Sequence, residues 1–250
     1  MNYYFERAYC ILKLEMYSKN LEKIREKLYK KTKFIVIISP LFCAFFFSIL
    51  AFGLDFPKIQ DFFIKKYGAA SAALFSTWSS MMTTSGDLKT DDKTKRINDG
   101  LNRTITWQED QKIWGVPDYW ATPLETISKK MGDCEDFAII KYYSLVNLGV
   151  PINQLRLVYV KAKNGNGTAT TELAHMVLAF YPSPDSEPYI LDNMISDIRP
   201  ASRRPDLVPV FSFNSEGVYN GVAAGGEQSG VERLSKWQDL LQRAKNEGFN

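Results

Sequence analysis

The strongest departure from mixed hydrophobic and polar patterning is an uncharged run, Phe34–Leu54 (FIVIISPLFCAFFFSILAFGL), 21 residues long. A helix needs about 20 apolar residues to cross a bilayer core, and Pro40 is tolerated in such a helix. Beyond that run, helical spacing predicts a helical lead-in over 58–82 and a helix over Arg96–Ile105, with Thr83–Thr90 (TTSGDLKT) as a turn or linker between them. Asp110–Tyr119 reads as an irregular aromatic connection. Thr122 and Pro123 then supply an N-cap and a first helical position. A further helix runs over Cys134–Leu148, closed by Gly149 with Pro151 behind it. From there the period falls to two. Leu155–Lys161 (LRLVYVK), His175–Tyr181 (HMVLAFY) and Tyr189–Asp192 alternate as strands. Asn164–Thr168 (NGNGT) and Pro182–Pro188 (PSPDSEP) are the turns between them. Tyr219–Gly230 is a Gly-rich loop and Leu234–Ala244 a closing amphipathic helix. Helices first and strands second predict an α+β domain.

Charge adds geography to this pattern. The chain of 250 residues carries a formal +3, too mild to suggest nucleic acid. From Met1 to Lys33, however, nine Lys/Arg face four Glu, a local +5 directly before the uncharged run. The remainder, Asp55–Asn250, therefore sums to +3 minus +5, or −2. A basic flank on one side of a span is retained in the cytoplasm. The expected organisation is a cytoplasmic segment over 1–33, a transmembrane anchor or signal segment over 34–54, and an exported domain over 55–250. Ala51-Phe52-Gly53 has small residues where a signal peptidase cuts, so both a retained anchor and release after Gly53 are open. A start at Met16 would favour release. The 45% hydrophobic content excludes full disorder, and three cysteines exclude a disulfide scaffold.

The cysteines then acquire meaning. Cys10 precedes the span and Cys43 lies inside it, so the exported part holds one thiol, Cys134, beside the chain's one histidine, His175. In Gly132-Asp133-Cys134-Glu135-Asp136, Asp133 is a candidate N-cap with Asp136 three residues on, in a capping-box-like arrangement. Cys134 would sit in the first helical turn, where the dipole and free N–H groups favour a thiolate and can hold an oxyanion. If the second turn is centred between Ser183 and Pro184, His175 faces Asp192 across a hairpin and shares its side of the sheet. That gives nucleophile, base and orienting acid: Cys134, His175 and Asp192. The competing reading is a buried small Cys and a satisfied core His. A zinc site is weaker still, since one Cys and one His leave its ligand set short.

Asp133, Glu135 and Asp136 surround the thiol with negative charge, which opposes its ionisation. Bound Ca²⁺ would cancel that charge, with backbone carbonyls, water or a distant acid such as Asp118 completing its shell. Plain acidic capping of a helix start explains the spacing equally well.

Trp114-Gly115, Asp118–Glu125, Gly132–Ala138, Leu155–Lys161, Ala174–Leu178, Leu191–Asn193, Arg204–Leu207, Phe211–Asn214 and Leu234–Trp237 together resemble one group in order and spacing. The chain resembles LapG-type proteases, bacterial transglutaminase-like cysteine proteinases with a papain-related core. The likeness runs over roughly 67–248. It implies a papain/transglutaminase-like fold and a calcium-dependent periplasmic endopeptidase. The implied substrate is a large surface adhesin, cut near its N-terminus at a di-alanine to disperse a biofilm. Such proteases are sequestered by an inner-membrane receptor that senses cyclic di-GMP. Carried over by motif, Cys134 is the nucleophile, His175 the base and Asp192 the orienter. Asp133 and Glu135 fall on metal-binding positions, and Asp136 lies beside them. Acyl transfer to an amine is the alternative activity of the same triad, and an inactive binding module is the alternative class. Trp120 is a candidate oxyanion partner. Ala223-Ala224, in a small-residue loop, is a candidate for self-cleavage.

Overall fold

Asp55 caps the first helix, α1 (Phe56–Tyr67), by accepting from the Lys58 N–H at 3.1 Å, and Gly68 ends it at φ 88°. A left-handed φ of that size is the glycine region. The single expected helix over 58–82 is therefore two, because Gly68 turns the chain and α2 (Ala72–Ser85) follows a short 3₁₀ turn. The expected linker after Met82 is shorter than its polar composition suggested. The helix α2 runs to Ser85 and α3 (Thr90–Thr104) opens at Thr90, with Asp91 and Asp92 in its first turn and Arg103 in its last. Those charges complement the helix dipole. Thr94, Ile97, Asn98 and Leu101 form its buried stripe, at the spacing of one helical face.

The computed structural model describes residues 22–23, 25–27, 54–164, 171–183, 185–222, 228–229 and 234–249. The chain divides into two units, Met1–Phe52 and Gly53–Asn250. In the first, the described residues are helical and exposed. The rest of the basic segment 1–33, nearly all of the apolar run 34–54, the Ala223-Ala224 loop and most of the Asn164–Thr168 turn lie outside the described residues. Among the described residues no helix is long and apolar enough to cross a membrane.

The second unit is built around α6 (Cys134–Asn147), in which every residue from Asp136 to Leu145 is buried. A helix buried all round needs partners on every side. Here α3 and the sheet supply them. The seven-stranded sheet takes its strands in the order 199–200, 189–191, 171–180, 155–164, 207–213, 218–220 and 228–229. Its centre is the antiparallel pair β3 (Leu155–Asn164) and β4 (Thr171–Phe180), with Val160 opposite His175. Along β4, Met176, Leu178 and Phe180 join the core around α6, while Val177 and Ala179 pack on the other face with Val158, Val160 and Tyr181. Alternation thus buries both faces of this strand. Each such Leu or Phe contributes roughly 1.5–3 kcal/mol of burial.

The short strands were not visible in the sequence. Apart from β5 (Tyr189–Leu191), which is the strand expected over Tyr189–Asp192, they are β6 (Arg199–Pro200), β7 (Leu207–Phe213), β8 (Val218–Asn220) and β9 (Gln228–Ser229). The last two fall where glycines suggested only a loop. The closing helix α7 (Ser235–Asn246) drives Trp237 into Tyr142, Tyr143 and Phe213. Its indole N–H donates to the Asn214 carbonyl at 3.1 Å.

Candidate active site and metal centre

Three chain segments position the side chains of the site. The first is a two-residue parallel pair, β1 (Thr106–Trp107) against β2 (Met131–Gly132), which with the short helix α4 (Asp110–Ile113) sets the 106–120 stretch beside the start of α6. The second is the short helix α5 (Pro123–Lys129), entered through the expected Thr122 cap and Pro123. Thr122 and Glu125 form a full capping box there, at 3.2 and 2.9 Å. The third is β4 with the residues after β5. The cleft measures 710 Å³ and is lined by Cys134, His175, Trp120, Tyr159, Phe211 and Met176 among others.

His175 and Asp192 are both buried, and His175 Nε2 lies 2.8 Å from Asp192 Oδ1. The expected register needs correction. The β4–β5 pairs are Leu178 with Leu191, Ala179 with Ile190 and Phe180 with Tyr189, two residues away from the expected pairing. The turn is offset because Ser186 closes back on Ser183, through both its N–H and its hydroxyl. A two-residue slip keeps every side chain on its face. Continuing the register places Asp192 opposite Val177, diagonal to His175 and still within reach.

Asp192 is held from several directions. Its Oδ1 also accepts from the Met194 N–H at 3.0 Å, and its Oδ2 accepts from Arg204 Nη2 at 2.8 Å. Asn102 on α3 donates to its carbonyl at 2.7 Å. Burial alone would raise this carboxyl, but the bonds from His175, Met194 and Arg204 hold it at about 2. Arg204 reaches onward to Asp206. Neither Arg204 nor Asn102 was given a role in the sequence; Arg204 stood only within a family-like motif. Behind the site, burial pushes Lys141 down to about 7, against the pull of Asp192 and Asp99.

Cys134 begins α6, as expected, and its Sγ–H donates to Glu135 Oε2 at 2.9 Å. Burial and then the Glu135 charge push the thiol up, while the Met176 N–H on β4 opposes this. That contact places the sulfur against the strand that carries His175. The capping box expected of Asp133 does not form, because its side chain makes no cap hydrogen bond. Its carboxylate turns instead toward two other acids.

Asp110, Asp133 and Asp136 bring carboxylate oxygens within 4.8 Å of one another. Asp110 Oδ2 accepts from the Tyr119 N–H, and Asp136 Oδ1 from the Ala121 N–H at 2.8 Å. Asp110 Oδ1, Asp133 Oδ1 and Asp136 Oδ2 are buried with no partner. Three buried orphan carboxylate oxygens are costly unless a cation sits among them. Burial pushes Asp110 up to about 6, and burial with mutual repulsion raises Asp133 and Asp136 as well. Hard oxygen donors of this kind suit Ca²⁺. Asp133, Cys134 and Glu135 form an overlapping group on the thiol side. Gly132 makes the cage compact, since a Cβ there would stand 2.7 Å from Asp136 Cβ.

The acid that the fold brings to Asp133 and Asp136 is Asp110, and Asp118 lies outside that group. Asp118 has a left-handed φ of 58°, is exposed, and pairs with Lys236. It also accepts from the Trp120 indole N–H at 3.1 Å, so that group is already engaged. The Trp120 ring stacks on Phe213 as a wall of the cleft.

A family model of bacterial transglutaminase-like cysteine proteinases matches residues 71–205. The chain belongs to the bacterial transglutaminase-like cysteine proteinases. Solved structures of Legionella pneumophila LapG agree with this family. The EGTA-treated form is 37% identical with a TM-score of 0.66, covering 77% of this chain and 98% of that one. A second LapG structure is 38% identical with a TM-score of 0.64 over the same shares. The calcium-bound form is 39% identical with a TM-score of 0.63, covering 75% and 98%. No curated protein matches the chain. The transglutaminase-like cysteine proteinase fold, an α+β core with a thiol-bearing helix against an antiparallel sheet, is therefore that of this protein.

Proposed function

We propose that this cysteine protease is a calcium-dependent endopeptidase in which Cys134 is the nucleophile, His175 the general base and Asp192 its orienting acid. The observation that carries the reading is the buried His175–Asp192 pair, whose His175 lines the same cleft as Cys134. With Nε2 committed to Asp192, Nδ1 is the ring atom left to take the thiol proton. The thiolate attacks the scissile carbonyl, and the protonated imidazole gives its proton to the departing amine. The same imidazole then draws a proton from water, whose oxygen displaces the sulfur and frees the acid. The N–H groups at the start of α6 would hold the oxyanion. Asp110, Asp133 and Asp136 would hold the cation, with Glu135 beside them. Bound calcium supplies positive charge that offsets the acids around the thiol.

The substrate we propose is the N-terminal region of a large surface adhesin, cut at a di-alanine, so that release disperses a biofilm. Control by an inner-membrane cyclic di-GMP receptor that sequesters the protease belongs to the same proposal. Both rest on the likeness to LapG. The proposed location is the periplasm, either anchored in the inner membrane through 34–54 or released near Gly53. The basic +5 leader before an uncharged run supports it.

The test incubates the purified chain with an adhesin N-terminal fragment and weighs the products by mass spectrometry. Two fragments with hydrolysed ends are expected with Ca²⁺, and none with EGTA or with Cys134→Ala. Cleavage by Cys134→Ala refutes the nucleophile. Undiminished cleavage in EGTA removes calcium, and amine-linked products replace hydrolysis with acyl transfer.

A further inference from the structure

The segment between Asp118 and Thr122 has a double task. Its Tyr119 N–H binds Asp110 and its Ala121 N–H binds Asp136. Each acid thereby spends one oxygen on this loop and aims the other into the cage. The residue between the two donors, Trp120, turns its carbonyl the opposite way, where Arg243 Nη2 donates to it at 2.7 Å. The same guanidinium gives Nη1 to Glu125 Oε2 at 2.6 Å and lies 4.9 Å from the centre of the Tyr119 ring. Arg243 comes from α7, more than a hundred residues along the chain, and makes no hydrogen bond or ion pair with Asp110, Asp133 or Asp136.

We propose that Arg243 is a positioning residue for calcium. By fixing the Trp120 carbonyl and Glu125, it holds the flanking N–H groups of Tyr119 and Ala121 in the geometry that aligns Asp110 and Asp136. The closing helix is thus the outer half of the metal site. A planar fork suits this role, since it bridges a carbonyl and a carboxylate at once, which an ammonium does less well. Without it, the loop must be ordered by the ion itself, and part of the binding free energy goes into that ordering. The inference rests on the calcium reading above and adds where the affinity is set.

The experiment measures calcium binding to the purified full chain by titration calorimetry. Hydrogen exchange of the 117–122 stretch is followed with and without saturating Ca²⁺. Arg243→Gln is expected to weaken binding about tenfold, which is about 1.4 kcal/mol. Exchange at Tyr119 and Ala121 should quicken in the metal-free variant and return to the wild-type rate at saturation. Asp239→Asn, which removes only the exposed partner of Arg243 Nε, should leave affinity unchanged. Wild-type affinity in Arg243→Gln overturns the inference while leaving the calcium-dependent enzyme intact. Absence of calcium binding by the wild type removes both. Exchange that quickens equally along α5 and α7, and stays so with calcium, marks a purely structural role and also overturns it. Should Arg243→Gln fail to fold, Arg243→Lys is expected to weaken binding two- to threefold, and unchanged affinity there refutes the proposal equally.

Discussion

Arg204→Met is the sharpest probe of how the fold maintains Asp192. Both side chains of the pair are essentially buried, at 2% and 0% exposure, with Nη2 and Oδ2 2.8 Å apart. Methionine fills similar length without charge, so the variant strands a buried carboxylate. Removing one partner of such a pair costs about 3–5 kcal/mol, a large share of a typical ~5–15 kcal/mol. Its pH dependence separates charge from packing. Asp192 sits at about 2 in the fold against an ordinary 3.8. A carboxyl lowered on folding contributes stability above its unfolded pKa, and that contribution is lost as pH falls toward the folded value. The window is therefore about pH 4 down to about 2. The deficit of Arg204→Met should narrow by a part of the roughly 1 kcal/mol that the wild type loses between pH 7 and pH 3, because Arg204 is one of several groups, after His175 and Met194, that lower Asp192. Urea unfolding followed by tryptophan fluorescence at both pH values reads this directly, with an unchanged m-value. A deficit below about 1 kcal/mol at pH 7, or one undiminished at pH 3, would refute the reasoning.

Gly132→Ala forces a methyl to within 2.7 Å of Asp136 Cβ and 2.9 Å of its Oδ2, so calcium should raise the melting temperature less than in the wild type. An equal rise would show that the cage is not compact there. Asp110→Asn should weaken calcium binding at least about tenfold by calorimetry while raising the metal-free melting temperature, since it removes one of three crowded acids. A variant that binds normally would return the role to some other acid. The metal-free protein should lose stability as pH rises from about 4 to about 6, because Asp110 is raised in the fold to about 6 from 3.8 and is tolerated best when protonated. Saturating calcium should abolish that slope. A flat metal-free profile counts against the buried acid cluster.

The parts of this protein that were legible in its sequence are those with local signatures. Thr122-Pro123 and Gly149 bracket their helices as their chemistry dictates, with Gly149 at φ 82°. The placement of Cys134 at a helix start followed from the same local rules. Asp192 was found through a hairpin whose register was two residues off, and the pair survived because such a slip conserves the face. What remained hidden was long-range. Asp110 lies in a segment with no periodicity, and only the β1–β2 pairing carries it to Asp133 and Asp136. Its one available signal was an acid in an aromatic, otherwise mixed stretch, which many surface loops share. Arg204 and Arg243 act on partners set by tertiary packing, and no spacing rule reveals them. The brief strands β6, β8 and β9 are too short for alternation to register.

The order in which the chain delivers its parts has a consequence in time. A polypeptide that emerges N-terminus first presents α6 and its thiol well before β4 brings His175. Asp192 and Arg204 follow later, and α7 comes last. Under the proposed roles, until then the sulfur has no base, the base has no acid, and the 118–122 loop has no clasp. An incompletely delivered chain would then be chemically silent, and hydrolytic competence would arrive only with completion of the fold.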